Sequence, residues 1–357
     1  MRLPEFAAGL SSLAALLLNG CATPAANAPS SAINSAEGCK AAIVVSTAGA
    51  GVSVLVQKDG KIVCEDYANG GSLDAGHEIW SGTKSFTGVM AAIAAKDGLL
   101  TLDEPVSATI TEWKADRQKS AVTIRQLLSL TSGIGNEGQP GGRAPGYAAA
   151  IATGFTAAPG EKFQYGPQSF QVFGELMQRK LEAKGLKPDA RAYIKSRILD
   201  PVGMMWTDWR STPEGDAIMA QGSSFTAREW AKFGEFIRAG GAVNGKMLVD
   251  PKTFRDLFVG SKANPAYGVS WWLPHATTAP DVVTASLDLG KHEAELPKDM
   301  VIAAGAGNQR LYVIPSCGLT VVRQADFSPA AALEGRRQNA GWSDFAFVKP
   351  LLDAYCR

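Results

Sequence analysis

Ile79-Trp80-Ser81-Gly82-Thr83-Lys84-Ser85-Phe86 is the stretch on which the rest of the chain is read. From Phe86 onward, the residues Phe86, Val89, Met90, Ile93 and Ala94 recur at i, i+3, i+4, i+7 and i+8, the spacing of a helix with one buried face. Asp97-Gly98 supplies a stop. Residues three apart share a helix face, so the Ser81 hydroxyl and the Lys84 amine fall within hydrogen-bond reach. A lysine that opens a buried helix is partly desolvated, which lowers its pKa and makes it a neutral base beside a hydroxyl nucleophile. Ser81 is the one serine in the chain with lysine at the third position after it. The plain alternative is an exposed helix start with Ser81 as its cap.

Composition narrows the function classes. The chain has 357 residues, 46% of them apolar and 8% aromatic, enough for one large core or two modest ones. Its 35 basic and 34 acidic residues leave a formal charge of +1 with no basic run or basic-aromatic stripe, which argues against nucleic acid as a partner. His77, His275 and His292 are the three histidines, and none has a metal-ligand spacing with another histidine or a cysteine. No metal or cofactor is expected. A Gly-x-Ser-x-Gly elbow is missing, so the α/β-hydrolase design lacks its central feature, and Gly245-Lys246 is followed by Met247, not by the Ser or Thr of a phosphate loop. His77, close to Ser81 in sequence, reads as structural.

Met1 to Gly20 read as an export signal, with Arg2 ahead of a mostly apolar run, Phe6 to Leu18, too short to span a bilayer. Leu18-Asn19-Gly20-Cys21 resembles a bacterial lipoprotein processing site, Asn19 departing from the usual small or aliphatic residue. Cys21 would then carry lipid, and residues 21–37, rich in Ala, Pro, Asn and Ser over Ala22 to Ser35, would tether the protein to a membrane. The competing cut, after Ala28 in Ala26-Asn27-Ala28, would release a soluble protein. Either places the chain in the periplasm or cell envelope. That compartment is oxidising, so Cys39, Cys64, Cys317 and Cys356 are expected to form two disulfides. Of the three connectivities, Cys39 with Cys64 and Cys317 with Cys356 closes the shorter loops; four buried thiols are the alternative.

Val52 to Val56 and Ile62 to Cys64 flank Lys58-Asp59-Gly60, a hairpin signal. Helical texture follows over Thr123 to Leu130, Gln171 to Leu181 and Ala190 to Ile198. Strands return at Gly268 to Leu273, Met300 to Ala303, Arg310 to Ile314 and Leu319 to Arg323, and a closing helix runs from about Ser343 to Tyr355. This order predicts an α+β (α/β) fold whose antiparallel sheet is built from both chain ends, residues 38–105 and 225–357, and flanked by helices. Residues 106–224 form an inserted helical subdomain. Gly135 to Gly146 carries too many Gly and Pro breakers for any element and reads as a lid or a surface loop. Ala158 to Tyr165 is a turn that delivers an aromatic hydroxyl, and Tyr147 and Trp271-Trp272 are candidate pocket aromatics.

Several ordered segments together resemble one family, the serine β-lactamase and penicillin-recognising superfamily in its class C-like esterase branch. They are Ser81-Gly82-Thr83-Lys84, Thr123 to Gly133, Pro159 to Tyr165, Gly222 to Gly234 with its Thr226-x-x-Glu229 capping box, and Ala303 to Pro315. The resemblance implies Ser81 as the acylated nucleophile, Lys84 as the group that takes or relays its proton, and Tyr165 as a second base in its phenolate form. An adjacent Lys84 charge would be needed to lower the phenol from a pKa near 10. It also implies an oxyanion hole made by the backbone N–H groups of Ser81 and Ala306, with Gly305, Pro167, Trp272 and Tyr147 near the substrate.

The departures from that pattern bear on substrate. Pro167 stands where relatives have an amide-bearing asparagine, and Ala303-Ala304-Gly305 where they have Lys-Thr-Gly or His-Ser-Gly. Loss of the lysine removes a partner for a substrate carboxylate, and each lost hydrogen bond weakens binding by roughly 1–3 kcal/mol. The expected activity is therefore a serine hydrolase acting on a small or oligomeric ester or amide without a required carboxylate. Phe163-Gln164-Tyr165 and Gln309-x-Leu311 also resemble 6-aminohexanoate-oligomer hydrolases. The alternatives are a β-lactamase or D,D-peptidase, and a non-catalytic envelope binding protein on the same scaffold.

Overall fold

The computed structural model describes Met1 and residues 34–135, 144–277, 287–328 and 341–356. The export signal, Cys21, Ala28 and residues 136–143 of the glycine-rich loop lie outside the described residues. The chain divides after Ala32, and Ile33–Arg357 form one compact unit.

The hairpin forms where its turn chemistry places it. Asp59 and Gly60 both take left-handed backbone angles, φ 50° and 79°, the geometry a two-residue turn needs to match strand twist. It joins β1 (Gly51–Lys58) to β2 (Lys61–Tyr67). From the other end of the chain come β3 (Val301–Gly305), β4 (Gln309–Ile314) and β5 (Leu319–Ala325), and the five strands run β2-β1-β5-β4-β3, antiparallel throughout. The central strands are buried along their length because helices cover both faces.

On one face lie α1 (Ser35–Ala48) and the closing helix Asp344–Tyr355, in contact with each other through a close approach at Gly38, where a Cβ would sit 2.7 Å from Ala354 Cβ. Helix α1 begins inside the stretch 21–37 read as tether. Asn34 caps it and Glu37 reaches back to the Asn34 N–H, a capping box with asparagine in the serine position. On the other face lies the helix Ala227–Arg238, where Gly234 leaves room for Leu311 of β4 and Thr320 of β5.

The helix that follows Ser81, α2 (Thr83–Lys96), is buried on every side from Thr83 to Ala94, not on one face alone. Phe86 stacks on Phe233 of Ala227–Arg238 (3.8 Å between centroids) and on Phe225 (5.0 Å), while Gly88 admits the Val269-Ser270 backbone. This second contact explains a departure. Residues 268–273 do not form a strand: Ser270 takes φ 70°, and Trp272 makes only isolated bridges, to Tyr267 and to Ile302 of β3. Between α2 and Ala227–Arg238 the chain is mainly helical, the longest helix there being α3 (Gln168–Ala183). A short ladder of His77–Glu78, Ser223–Phe225 and Asp208–Trp209 ties that region back beside Ser81.

Candidate active site

Ser81 sits in a tight turn, Trp80–Gly82, immediately ahead of α2. Trp80, the residue before it, is held at φ 49°, a left-handed conformation that costs a bulky residue of order 1–3 kcal/mol and marks sites where geometry outranks comfort. Its ring is held edge-on by Phe327 (5.3 Å) and lies 5.3 Å from the Arg210 guanidinium, which also pairs with Glu78.

One helical turn on, Lys84 Nζ donates to Ser81 Oγ (3.0 Å) and to the Ala220 carbonyl (3.1 Å). Lys84 is 2% exposed, and among the described residues no carboxylate pairs with it. Burial alone lowers its pKa to about 7. The carbonyl of Ala220 is fixed because its neighbours are: Gln171 Oε1 accepts from Met219 N–H (2.8 Å), Thr87 Oγ1 donates to Met219 O (2.9 Å), and Ser223 N–H donates to Thr83 Oγ1 (3.1 Å). Thr83, Lys84 and Thr87 thus clasp, from α2, the turn at Met219–Gln221 and the start of the strand that follows it.

Tyr165 completes the cluster. Its ring lies 4.8 Å from Lys84 Nζ, and its hydroxyl hydrogen-bonds Ser81 and Trp272. Trp272 also stacks on it at 5.6 Å. Burial pushes the phenol up to about 12, the Ser81 hydrogen bond pulling only weakly the other way. The phenolate expected from a neighbouring lysine charge is therefore the disfavoured form: the same burial that raises Tyr165 discharges Lys84. At neutral pH the pair is best described as an amine close to half deprotonated beside a neutral phenol.

The end of β3 closes the other side of Ser81. A Cβ on Gly305 would lie 2.0 Å from the Ile79 carbonyl, so only glycine lets the strand end press against the turn that carries Ser81. Ala306, next in sequence, is exposed there. Pro167 is buried as the N-cap of α3, its carbonyl accepting from Phe170 and Gln171 N–H. Tyr147 is elsewhere. It is buried in the core of the insertion against Gly174 of α3, whose Cβ would meet its hydroxyl at 2.6 Å, so it is a packing residue and not a pocket wall. Cys39 bonds to Cys64 and Cys317 to Cys356.

Sequence reasoning missed the Ala220 carbonyl, which leaves no signal in side-chain identity, and Phe170, whose ring faces Lys84 Nζ at 5.2 Å and whose apolar spacing announced only a helix core. A cavity of about 310 Å³ adjoins Trp272 and is lined by Leu273, His275, Leu289, Lys291 and Ile302 among others. Among the described residues no cluster of His, Cys, Asp and Glu is built to hold a metal ion.

The family model for β-lactamases matches residues 40–334. The chain belongs to the β-lactamase family. Family membership accounts for the antiparallel sheet and its flanking helices. The chain is 26% identical over 192 residues to the protein flp of Staphylococcus aureus, a match covering 49% of this chain and 39% of that protein, so it spans well under half the length of this curated relative. Among solved structures, a putative 6-aminohexanoate-dimer hydrolase from Bacillus anthracis aligns with TM-score 0.66 at 19% identity over 87% of this chain and 80% of that one. EstCE1, described as a hydrolase with promiscuous acyltransferase activity, aligns with TM-score 0.66 at 15% identity over 89% and 98%. These two likenesses establish a shared fold, that of β-lactamase-like proteins.

Proposed function

We propose that this member of the β-lactamase family is a serine hydrolase that cleaves an ester or amide through an acyl-enzyme on Ser81. The observation that carries this reading is the 3.0 Å contact between Ser81 Oγ and a buried lysine whose pKa lies near 7. The neutral amine accepts the Ser81 proton as Oγ attacks the substrate carbonyl carbon. Negative charge gathers on the carbonyl oxygen, where the N–H groups of Ser81 and Ala306 receive it. The ammonium of Lys84, through the Tyr165 hydroxyl, returns a proton to the leaving alcohol or amine, and water then hydrolyses the acyl-enzyme. Tyr165 acts in this scheme as a neutral relay, in keeping with its raised pKa.

The substrate class follows from what the site does not offer. Ala303 supplies no cation for a carboxylate and Pro167 no side-chain amide, which favours a small or oligomeric ester or amide over a β-lactam or a D,D-peptide. The cavity beside Trp272, with Leu273, Leu289 and Ile302 in its wall, suits an apolar portion of such a substrate. The likeness to EstCE1 and to a putative 6-aminohexanoate-dimer hydrolase supports the same direction. An exported location, with or without a lipid on Cys21, is part of the proposal, and two disulfides are in keeping with it; radioactive fatty acid should label the wild type and not Cys21→Ser if the anchor is real.

A fluorophosphonate probe and panels of p-nitrophenyl esters, amides and β-lactams, run with wild type beside Ser81→Ala, test the activity. Adduct on Ser81 with turnover of esters or amides is the expected result. A stable acyl adduct with labelled penicillin would shift the reading to a D,D-peptidase. Activity that survives Ser81→Ala, or no adduct and no turnover at all, would overturn it.

A further inference from the structure

Two fully buried arginines meet under the turn that follows β3. Arg310 of β4 and Arg323 of β5 are 1% and 0% exposed, and both point to the face covered by the closing helix. Arg310 pairs with Asp344, the first residue of that helix, through Nε at 2.6 Å and Nη2 at 3.3 Å, and Tyr312 donates to the same carboxylate. Besides side-chain contacts of Arg310 Nη2 with Asn308 Oδ1 (3.4 Å) and of Arg323 Nε with Ser46 Oγ (3.3 Å), both guanidinium groups reach backbone. Arg310 Nη1 donates to the Gly305 carbonyl (3.1 Å) and the Gln309 carbonyl (3.0 Å). Arg323 Nη1 donates to the carbonyls of Gly307 (3.1 Å) and Asn308 (2.8 Å). Nearly every carbonyl of the turn is therefore gripped from beneath by a cation.

The Gly305–Ala306 peptide unit is the one of consequence. A trans peptide is planar, and its C=O and N–H point in opposite directions. A guanidinium fastened to Gly305 O therefore turns the Ala306 N–H the other way, out of the sheet's interior. Gly307 and Asn308 both take left-handed backbone angles, φ 70° and 62°, which glycine and asparagine adopt more readily than other residues, and their carbonyls are the ones Arg323 holds. Cationic donors on the carbonyl side also polarise the peptide, making its N–H a stronger donor.

We propose that Arg310, held by Asp344 and seconded by Arg323, is a positioning residue that aims and polarises the Ala306 N–H for the oxyanion of the transition state. The inference rests on the serine hydrolase reading of the preceding section. It extends the active site through the sheet to the first turn of the C-terminal helix, more than thirty residues further along the chain. Arginine is required, not merely positive charge, because one group must bind a carboxylate through two nitrogens and still reach two carbonyls.

The test uses the full chain with Arg310→Lys, which keeps the charge and loses the fork, beside Arg310→Met and Arg323→Lys. Deleting a single oxyanion donor outright slows turnover by about 10²–10³-fold, so a donor present but poorly aimed should lose about 10-fold or more in kcat. For Arg310→Lys the expected result is that loss with KM within about twofold of wild type, an equal loss of affinity for a boronic acid that mimics the tetrahedral state, and an unshifted acidic limb in the pH profile, since Lys84 is untouched. Melting temperature is recorded alongside. A purely structural role would lower the melting temperature and leave kcat per folded molecule and boronate affinity as they were, and that result in Arg310→Lys overturns the proposal. Should Arg310→Met fail to fold, Arg310→Lys and Arg323→Lys carry the decision. Absence of any Ser81 adduct in wild type would instead remove the hydrolase reading, and this inference with it.

Discussion

Lys84 and Arg310 are both buried cations within one site, and they are buried in opposite ways. Lys84 donates to the Ser81 hydroxyl and a carbonyl and faces the rings of Tyr165 and Phe170, with no carboxylate pairing with it among the described residues, and burial lowers its pKa to about 7. Arg310 is as deeply buried, and desolvation is the largest single influence on it, yet the Asp344 carboxylate together with Tyr312 and Tyr165 outweighs it and holds the pKa above the ordinary value. A cation left without a counter-ion becomes a base; one supplied with a carboxylate becomes scaffold. The lysine can lose its proton and the guanidinium cannot, which fits chemistry on one side of Ser81 and rigidity on the other.

Deleting the cation on the reactive side should break activity and mend stability. Lys84→Met is expected to lower kcat/KM by about a thousandfold or more, since members of such a unit fail together. It should also raise the melting temperature. The folded pKa of about 7 lies below the 10.5 of the free side chain, so the unfolded chain holds an extra proton between those values. Stability then rises with pH through that window, and the lysine is most destabilising below about pH 7. The stabilisation in Lys84→Met should accordingly be largest near pH 6 and shrink toward pH 10, measured by thermal melts across pH. A melting temperature lower than wild type at pH 6 would show that Lys84 is held by partners that offset its burial.

The scaffold side should respond in the reverse sense. Asp344→Asn strips the counter-ion from two buried arginines and is expected to destabilise by about 3–5 kcal/mol, read by denaturant titration. Arg323, which burial and then Arg310 already lower to about 9, would lose the Asp344 charge that opposes them, so part of this destabilisation falls on Arg323.

The smallest expected effect sharpens the assignment of the pH limb. Glu78 also titrates near neutrality: burial raises it to about 7 although Arg210 opposes the shift. It pairs with Arg210, whose guanidinium lies against the Trp80 ring beside Ser81. Glu78→Gln should leave the acidic limb of kcat/KM within about 0.3 pH units of wild type, as expected for a group that does not handle the proton. A limb that disappears would transfer the role from Lys84 to Glu78.

The comparison also separates what the sequence could disclose from what it could not. The serine-lysine spacing and the apolar repeat behind it are local, so the contact of Ser81 with Lys84 and the helix were readable, as were the hairpin at Asp59-Gly60 and the three late strands. Helix α1 was lost to a low-complexity texture, although Asn34 and Glu37 spell its capping box. The run 268–273 is apolar enough for a strand, and only its packing against Gly88 shows why it bends. The direction of the Tyr165 shift depended on how deeply the pair is enclosed, a property of the whole site. Arg310 was quoted merely as a strand residue, because nothing local announces an arginine whose partner, Asp344, stands in another element.

The most direct test of the central claim is the rate of fluorophosphonate labelling at Ser81 as a function of pH. With a neutral Lys84 as the base, the rate should climb about tenfold per pH unit below 7 and level off above it, and Lys84→Met should remove the dependence along with most of the rate. A rate still climbing toward pH 10, or an adduct on a residue other than Ser81, would contradict the account.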